Sequence, residues 1–228
     1  MQLKKVQQYI SDYQKILKEK REFHELYKWE CLKNFQINWD IEAANFAKMY
    51  DQSLQSTVTR RLWKGEDFFP KEMMLKFIAI SPDFVRAMFR DLFNEEKEIE
   101  DRVARFQFCC DSMLTEYKEV NPLTIENNHY HEENHVISMY LSFRYPDAYS
   151  LFEYPVFKKA MENLGTTKPT SPFDINRFFK VTKTINTFLQ KDTTLLENHQ
   201  NRLNSKTDYM ESTLLLVNDF YYFVAYSK

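Results

Sequence analysis

Residues 127–140 read NNHYHEENHVISMY, and within them His131-Glu132-Glu133-Asn134-His135 matches H-E-x-x-H. On a helix, histidines four residues apart face the same way, so both imidazoles could reach one zinc ion while Glu132 serves as general base on its bound water. A catalytic zinc also needs a third protein ligand and an open position. Asp147, Glu153 and Glu162 are the downstream acids within range, and no motif singles one out. The neighbours argue against such a site. Zinc-hydrolase helices hold their ligands in apolar surroundings that orient the second shell, whereas Asn127, Asn128, Glu133 and Asn134 describe the solvated first turn of a helix, with acids near its positive end. The expectation is therefore no native metal at His131 and His135 and no catalytic residue. His129 and Tyr130 are expected as a half-exposed pair that caps this helix or borders a groove. His24 and His199 have no partner pattern.

Other chemistries find less support. No G-x-x-x-x-G-K-[ST] occurs, and two glycines, Gly65 and Gly165, cannot build a phosphate-cradling loop. No G-x-S-x-G occurs, and no cysteine has an activating local pattern. No cofactor is expected. Two basic–aromatic clusters remain: TRRLWK, with Arg60, Arg61, Trp63 and Lys64 in a connector, and NRFFKVTK, with Arg177, Phe178, Phe179, Lys180 and Lys183 at a helix start. Arginine and lysine can neutralise phosphates while aromatic rings stack on unpaired bases. The competing reading makes Trp63, Phe178 and Phe179 core anchors flanked by ordinary surface charge.

The elements that must position these residues read as helices. Val6, Ile10, Tyr13, Ile16 and Leu17 recur at steps of three and four, and the pattern resumes at Phe23, Leu26, Tyr27, Leu32 and Phe35, as one rod or a two-helix hairpin. Asp40 can cap a helix carrying Ile41, Ala44, Phe46, Met49 and Tyr50. KEMMLKFIAI predicts a short helix. Ser81-Pro82-Asp83 starts another, reaching about Phe93, and the spacing of Ile99, Val103, Phe106, Cys110, Met113, Leu114 and Tyr117 predicts a long one over 95–119. VFKKAMENLG ends at Gly165, a natural C-cap. Ser171-Pro172-Phe173-Asp174 repeats the start signal before Phe178, Val181, Thr182, Ile185, Phe188 and Leu189. The closing LLLVNDFYYFVAY favours a buried helix, with a terminal strand as the alternative. The fold class is all-α, a multi-helix bundle in a single domain over 1–228, with a sub-boundary conceivable near 166–172.

Composition agrees. Hydrophobic residues make up 43% and aromatics 16%, too apolar for a disordered chain. The net charge of −2 lacks the positive excess of a domain held to DNA mainly through phosphates, so a nucleic-acid surface has to be a local patch. Three cysteines make no disulfide framework, and no segment has the form of a signal peptide or membrane span. A cytoplasmic location without membrane contact is the expectation.

The succession of ELYKWECLKNFQINWDIEAANFAKMY, FFPKEMMLKFIAISPDFVRAMFRDLFNEE, NHYHEENHVISMYLSFRYPDAYSLFEYPVFKKAM and NDFYYFVAY, spanning residues 25–226, resembles the helical N-terminal region of bacterial McrB-like AAA+ proteins, the NTP-driven subunits of methylation-dependent restriction systems. The resemblance implies a non-catalytic module that positions a motor on DNA, modified or not, or on a restriction partner subunit. The motor's Walker motifs are not in this sequence, so it would be the N-terminal part of a longer protein or a stand-alone relative. Some N-terminal modules of the family read modified bases by flipping them into a pocket. A helical protein–protein adaptor is the alternative expectation, and a zinc hydrolase using HEENH a remote third.

Overall fold

Apolar residues recurring every three and four positions, with so few glycines, leave helix as the simplest way to satisfy the backbone N–H and C=O groups. The computed structural model describes residues 1–19, 26–55, 59–62, 68–168 and 171–227. Among these residues there are eleven α-helices, one 3-10 turn (Thr59–Leu62) and no strand. The helices are α1 (Leu3–Lys18), α2 (Tyr27–Asn38), α3 (Phe46–Ser53), α4 (Pro70–Ile80), α5 (Pro82–Leu92), α6 (Ile99–Val120), α7 (Asn134–Arg144), α8 (Tyr154–Asn163), α9 (Ile175–Leu189), α10 (Thr193–Arg202) and α11 (Leu215–Tyr226).

Two helices are central. α7 buries nine of its eleven residues and α11 ten of its twelve, as expected for helices apolar around their whole circumference. α11 lies against α8, α9 and α1, α7 packs on α2, and α6 packs on α4, α5 and α9. Buried side chains form one continuous cluster from Val6 to Ala225. Near its middle Phe89 of α5 meets Trp39, Phe106 and Tyr140, with ring centroids 5.1–5.4 Å apart. Each fully buried side chain of this size contributes about 1.5–3 kcal/mol.

The C-terminal stretch is helix, not strand, and its polar pair explains how it can be buried. Asn218 and Asp219 are each 1% exposed, yet both are bonded. Asn218 accepts from Lys28 Nζ at 2.6 Å and donates to the Leu151 carbonyl at 3.2 Å. Asp219 Oδ2 accepts from Tyr13 Oη and Arg202 Nη2, both at 2.5 Å. Residues that interrupt an apolar run thus tie α11 to α1, α2 and α10.

Several helix starts differ from the sequence reading. Asp40 does not cap α3; it accepts from the Glu42 amide in a turn, and Asn45 is the cap, accepting from Lys48 N at 3.0 Å. Arg86 explains the delay, because its guanidinium takes the Ile41 and Ala43 carbonyls and keeps that stretch out of helix. Ser81 precedes α5 as expected but makes no capping bond. Before α9, Asp174 rather than Ser171 caps, accepting from Arg177 N at 3.0 Å. α10, capped by Asp192 at 2.9 Å, has only Leu195 and His199 buried, too thin a stripe to announce itself in sequence.

Gly165 ends α8 as expected. Its φ is 73°, the Thr166 amide donates to the Met161 carbonyl at 2.9 Å, and the Gly165 amide donates to Glu162 at 3.0 Å. The atoms nearest to a Cβ there belong to the flexible Gln2 side chain, 2.8–3.0 Å away, which would have to shift, and the left-handed backbone adds strain. Gly165→Ala should lower the unfolding free energy by about 1–2 kcal/mol in urea denaturation. An unchanged midpoint would contradict the assignment.

Candidate functional site

The HEENH match presumes a helix that is not there. Tyr130 has φ 63°, left-handed for a non-glycine residue, and Glu133 is extended, so α7 starts only at Asn134. His131 therefore lies in the preceding loop, outside the i, i+4 relation. It is fully buried rather than in a solvated first turn, and His129 is 1% exposed rather than half-exposed. The Asn-rich sequence misled because Asn128 turns inward on the backbone, accepting from the Tyr130 amide at 2.6 Å.

The two histidines serve different neighbourhoods. His131 Nδ1 donates to the His129 carbonyl at 2.6 Å, and its Nε2 accepts from Tyr140 Oη at 3.2 Å. Burial holds this imidazole neutral down to about 3. His135 Nε2 instead donates to the Leu62 carbonyl, at the end of the 3-10 turn. Glu132, Asp147 and Glu162 are exposed. Glu153 alone of the candidate acids comes near His135, and it is already engaged. It accepts from Lys28 Nζ at 2.8 Å, from Asn218 Nδ2 at 3.1 Å and from Tyr222 Oη. Burial alone would raise its carboxyl, but the Lys28 ammonium, with His135 and Tyr222 assisting, holds it down at about 2.

His135 and its neighbours line a cavity of about 420 Å³ where the N-terminal ends of α7 and α8 meet the approach to α9. Phe152, Tyr154, Val156 and Phe173 supply its apolar lining, and Asn134, His135 and Glu153 its polar groups. The flanking caps Glu133 and Glu153 make no side-chain capping bond.

Consecutive side chains of α7, both lining this cavity, bond to stretches next to the two basic segments. Asn134 Nδ2 donates to the Pro172 carbonyl at 3.1 Å, on the approach to α9, while His135 holds the carbonyl of Leu62, next to Arg60 and Arg61. Arg60 and Arg61 are exposed, with the Arg61 guanidinium 4.2 Å over the Tyr27 ring. Trp63 and Lys64 lie outside the described residues. On α9, Lys180 and Lys183 are exposed, Lys183 lying 5.7 Å over the Tyr149 ring, and Arg177 is half-buried, donating to the Lys168 carbonyl at 3.0 Å.

Phe178 and Phe179 are 0% and 4% exposed, so they are core anchors and not a stacking platform. The ring that faces solvent is Phe173, at 76%. It sits inside the Ser-Pro-Phe-Asp start signal, where it reads as part of a cap and not as a contact. Phe152, Tyr154 and Lys28 carried no motif at all. No helix among the described residues is long and apolar enough to cross a membrane. Comparison with protein-family models, with curated proteins and with solved structures finds no match to this chain.

Proposed function

We propose that this chain is a non-catalytic helical recognition module, of the kind that precedes the motor of McrB-like AAA+ proteins, and that it engages DNA at the cavity between α7, α8 and α9. What supports this is the pair of neighbouring bonds from Asn134 and His135, which ties a stretch next to each basic segment to the wall of one aromatic-lined cavity. Arg60, Arg61, Lys180 and Lys183 would meet phosphates, and Phe173 would stack on a base drawn out of the duplex. A base edge would meet the polar side of the cavity, lined by Asn134, His135 and Glu153.

Fluorescence anisotropy with methylated, mismatched and fully paired duplexes tests this. Binding should appear at low salt and weaken steeply as salt rises, and Arg60→Glu or Lys180→Glu should weaken it on every duplex, each lowering the log–log salt slope by about one. Phe173→Ala should act chiefly on the mismatched and methylated duplexes. No binding at low salt, or binding indifferent to the charge reversals, would refute the DNA reading.

A protein–protein adaptor is the second reading. It is favoured by Val120, Leu123 and Ile125, 61%, 96% and 93% exposed at and just after the end of α6.

A further inference from the structure

The buried histidines on the other side of α7 form a separate constellation. Cys110, on the inner face of α6, and His129 and His131, from the loop before α7, are 0%, 1% and 0% exposed. Cys110 Sγ and one ring nitrogen of each histidine lie within 4.8 Å of one another. We propose that Cys110, His129 and His131 bind a zinc-class divalent transition-metal ion. One thiolate and two imidazoles suit zinc, cobalt and their neighbours rather than the oxygen-seeking magnesium or calcium.

The hydrogen bonds around the trio are those that prepare histidines as ligands. The His129 Nε2–H points to Asp111 Oδ1 at 3.3 Å, and the His131 Nδ1–H donates to the His129 carbonyl at 2.6 Å. A carboxylate behind one ring and a carbonyl behind the other fix the tautomers, leaving lone pairs on His129 Nδ1 and His131 Nε2. The first now accepts from the His131 amide at 3.0 Å and the second from Tyr140 Oη at 3.2 Å. A metal takes the place of both donors. The Tyr140 hydroxyl has Tyr50 Oη at 2.8 Å to turn to, whereas the His131 amide gives up its bond.

Charge also balances. Burial pushes the Cys110 thiol up, so it is protonated without an ion, and binding sends that proton to solvent. The resulting thiolate and the Asp111 carboxylate together offset the two charges of the cation. The loop is held at Tyr130, whose ring packs edge-on against Phe68 and Phe69 at 5.5 and 6.3 Å.

The test uses the full chain purified without a polyhistidine tag. Elemental analysis should find about one zinc per chain. After stripping with a chelator, added Co²⁺ should give visible d–d bands and a near-ultraviolet thiolate-to-cobalt charge-transfer band. Cys110→Ser should lose the charge-transfer band. Asp111→Asn, at a solvent-facing position on α6, should keep it with an affinity about 10–100-fold weaker. If the stripped wild-type protein takes up Co²⁺ without a thiolate band, or not at all, the proposal fails whether or not the variants fold. Equal cobalt spectra for wild type and Cys110→Ser would also overturn it.

Discussion

Lys28→Met should lower the unfolding free energy by about 3–5 kcal/mol near neutral pH, the usual cost of removing one partner of a buried ion pair. The Lys28 ammonium is 1% exposed and touches Glu153 at 2.8 Å and Asn218 at 2.6 Å, with the Tyr222 ring 4.2 Å below it. Without it Glu153 keeps the Tyr222 hydroxyl and the Asn218 amide but loses its main countercharge, and burial then favours its protonated form. Two consequences can be measured by urea denaturation. The penalty should shrink as pH falls and the carboxyl takes up a proton. The double variant Lys28→Met/Glu153→Leu should recover much of the loss, because no lone charge is left in the interior. A double variant as unstable as the sum of its parts would show that the pair is not coupled as described.

Acid should destabilise the protein well above the range where carboxylates titrate. His199 is 7% exposed, rests on the Trp29 ring at 5.1 Å, and accepts at Nδ1 from Arg202 at 3.0–3.2 Å. Burial, reinforced by the Arg202 guanidinium and opposed by Asp219, lowers its imidazole to about 3. An unfolded histidine takes up its proton near pH 6.5. Between these values the unfolded chain binds the extra proton, so this contribution to stability is complete above pH 6.5 and is lost as pH falls toward 3. The slope approaches about 1.4 kcal/mol per pH unit. His199→Asn keeps an acceptor for Arg202 without a titrating ring. Its stability deficit against wild type, followed by chemical denaturation from pH 7 to pH 4, should therefore narrow steadily. A deficit that does not change with pH would contradict a neutral buried His199.

The helices that could be read from sequence are those whose apolar stripe decides the matter alone. α5 buries Val85, Met88, Phe89 and Leu92, and α6 buries Val103, Phe106, Cys110, Met113 and Leu114, spacings that no strand could satisfy. What could not be read depended on contacts far away in the chain. Arg86 holding the Ile41 and Ala43 carbonyls delays α3, and no local rule at Asp40 anticipates a guanidinium from α5. The site was the least legible part. H-E-x-x-H is a statement about side chains that assumes a backbone, and one left-handed tyrosine removes the assumption. The basic clusters were visible as composition, but the cavity at the N-terminal ends of α7 and α8 is walled by Phe152, Tyr154 and Phe173, each unremarkable in its own segment. Cys110 and the His129–His131 pair belong to separate stretches that only the packing of α6 beside the loop before α7 unites.

The first turn of α7 works like the pivot of a pair of calipers. Asn134 grips one jaw at Pro172 and His135 the other at Leu62, so one peptide bond sets the gap between two stretches remote in sequence. The two stretches thus share one anchor, adjacent residues of a single helical turn.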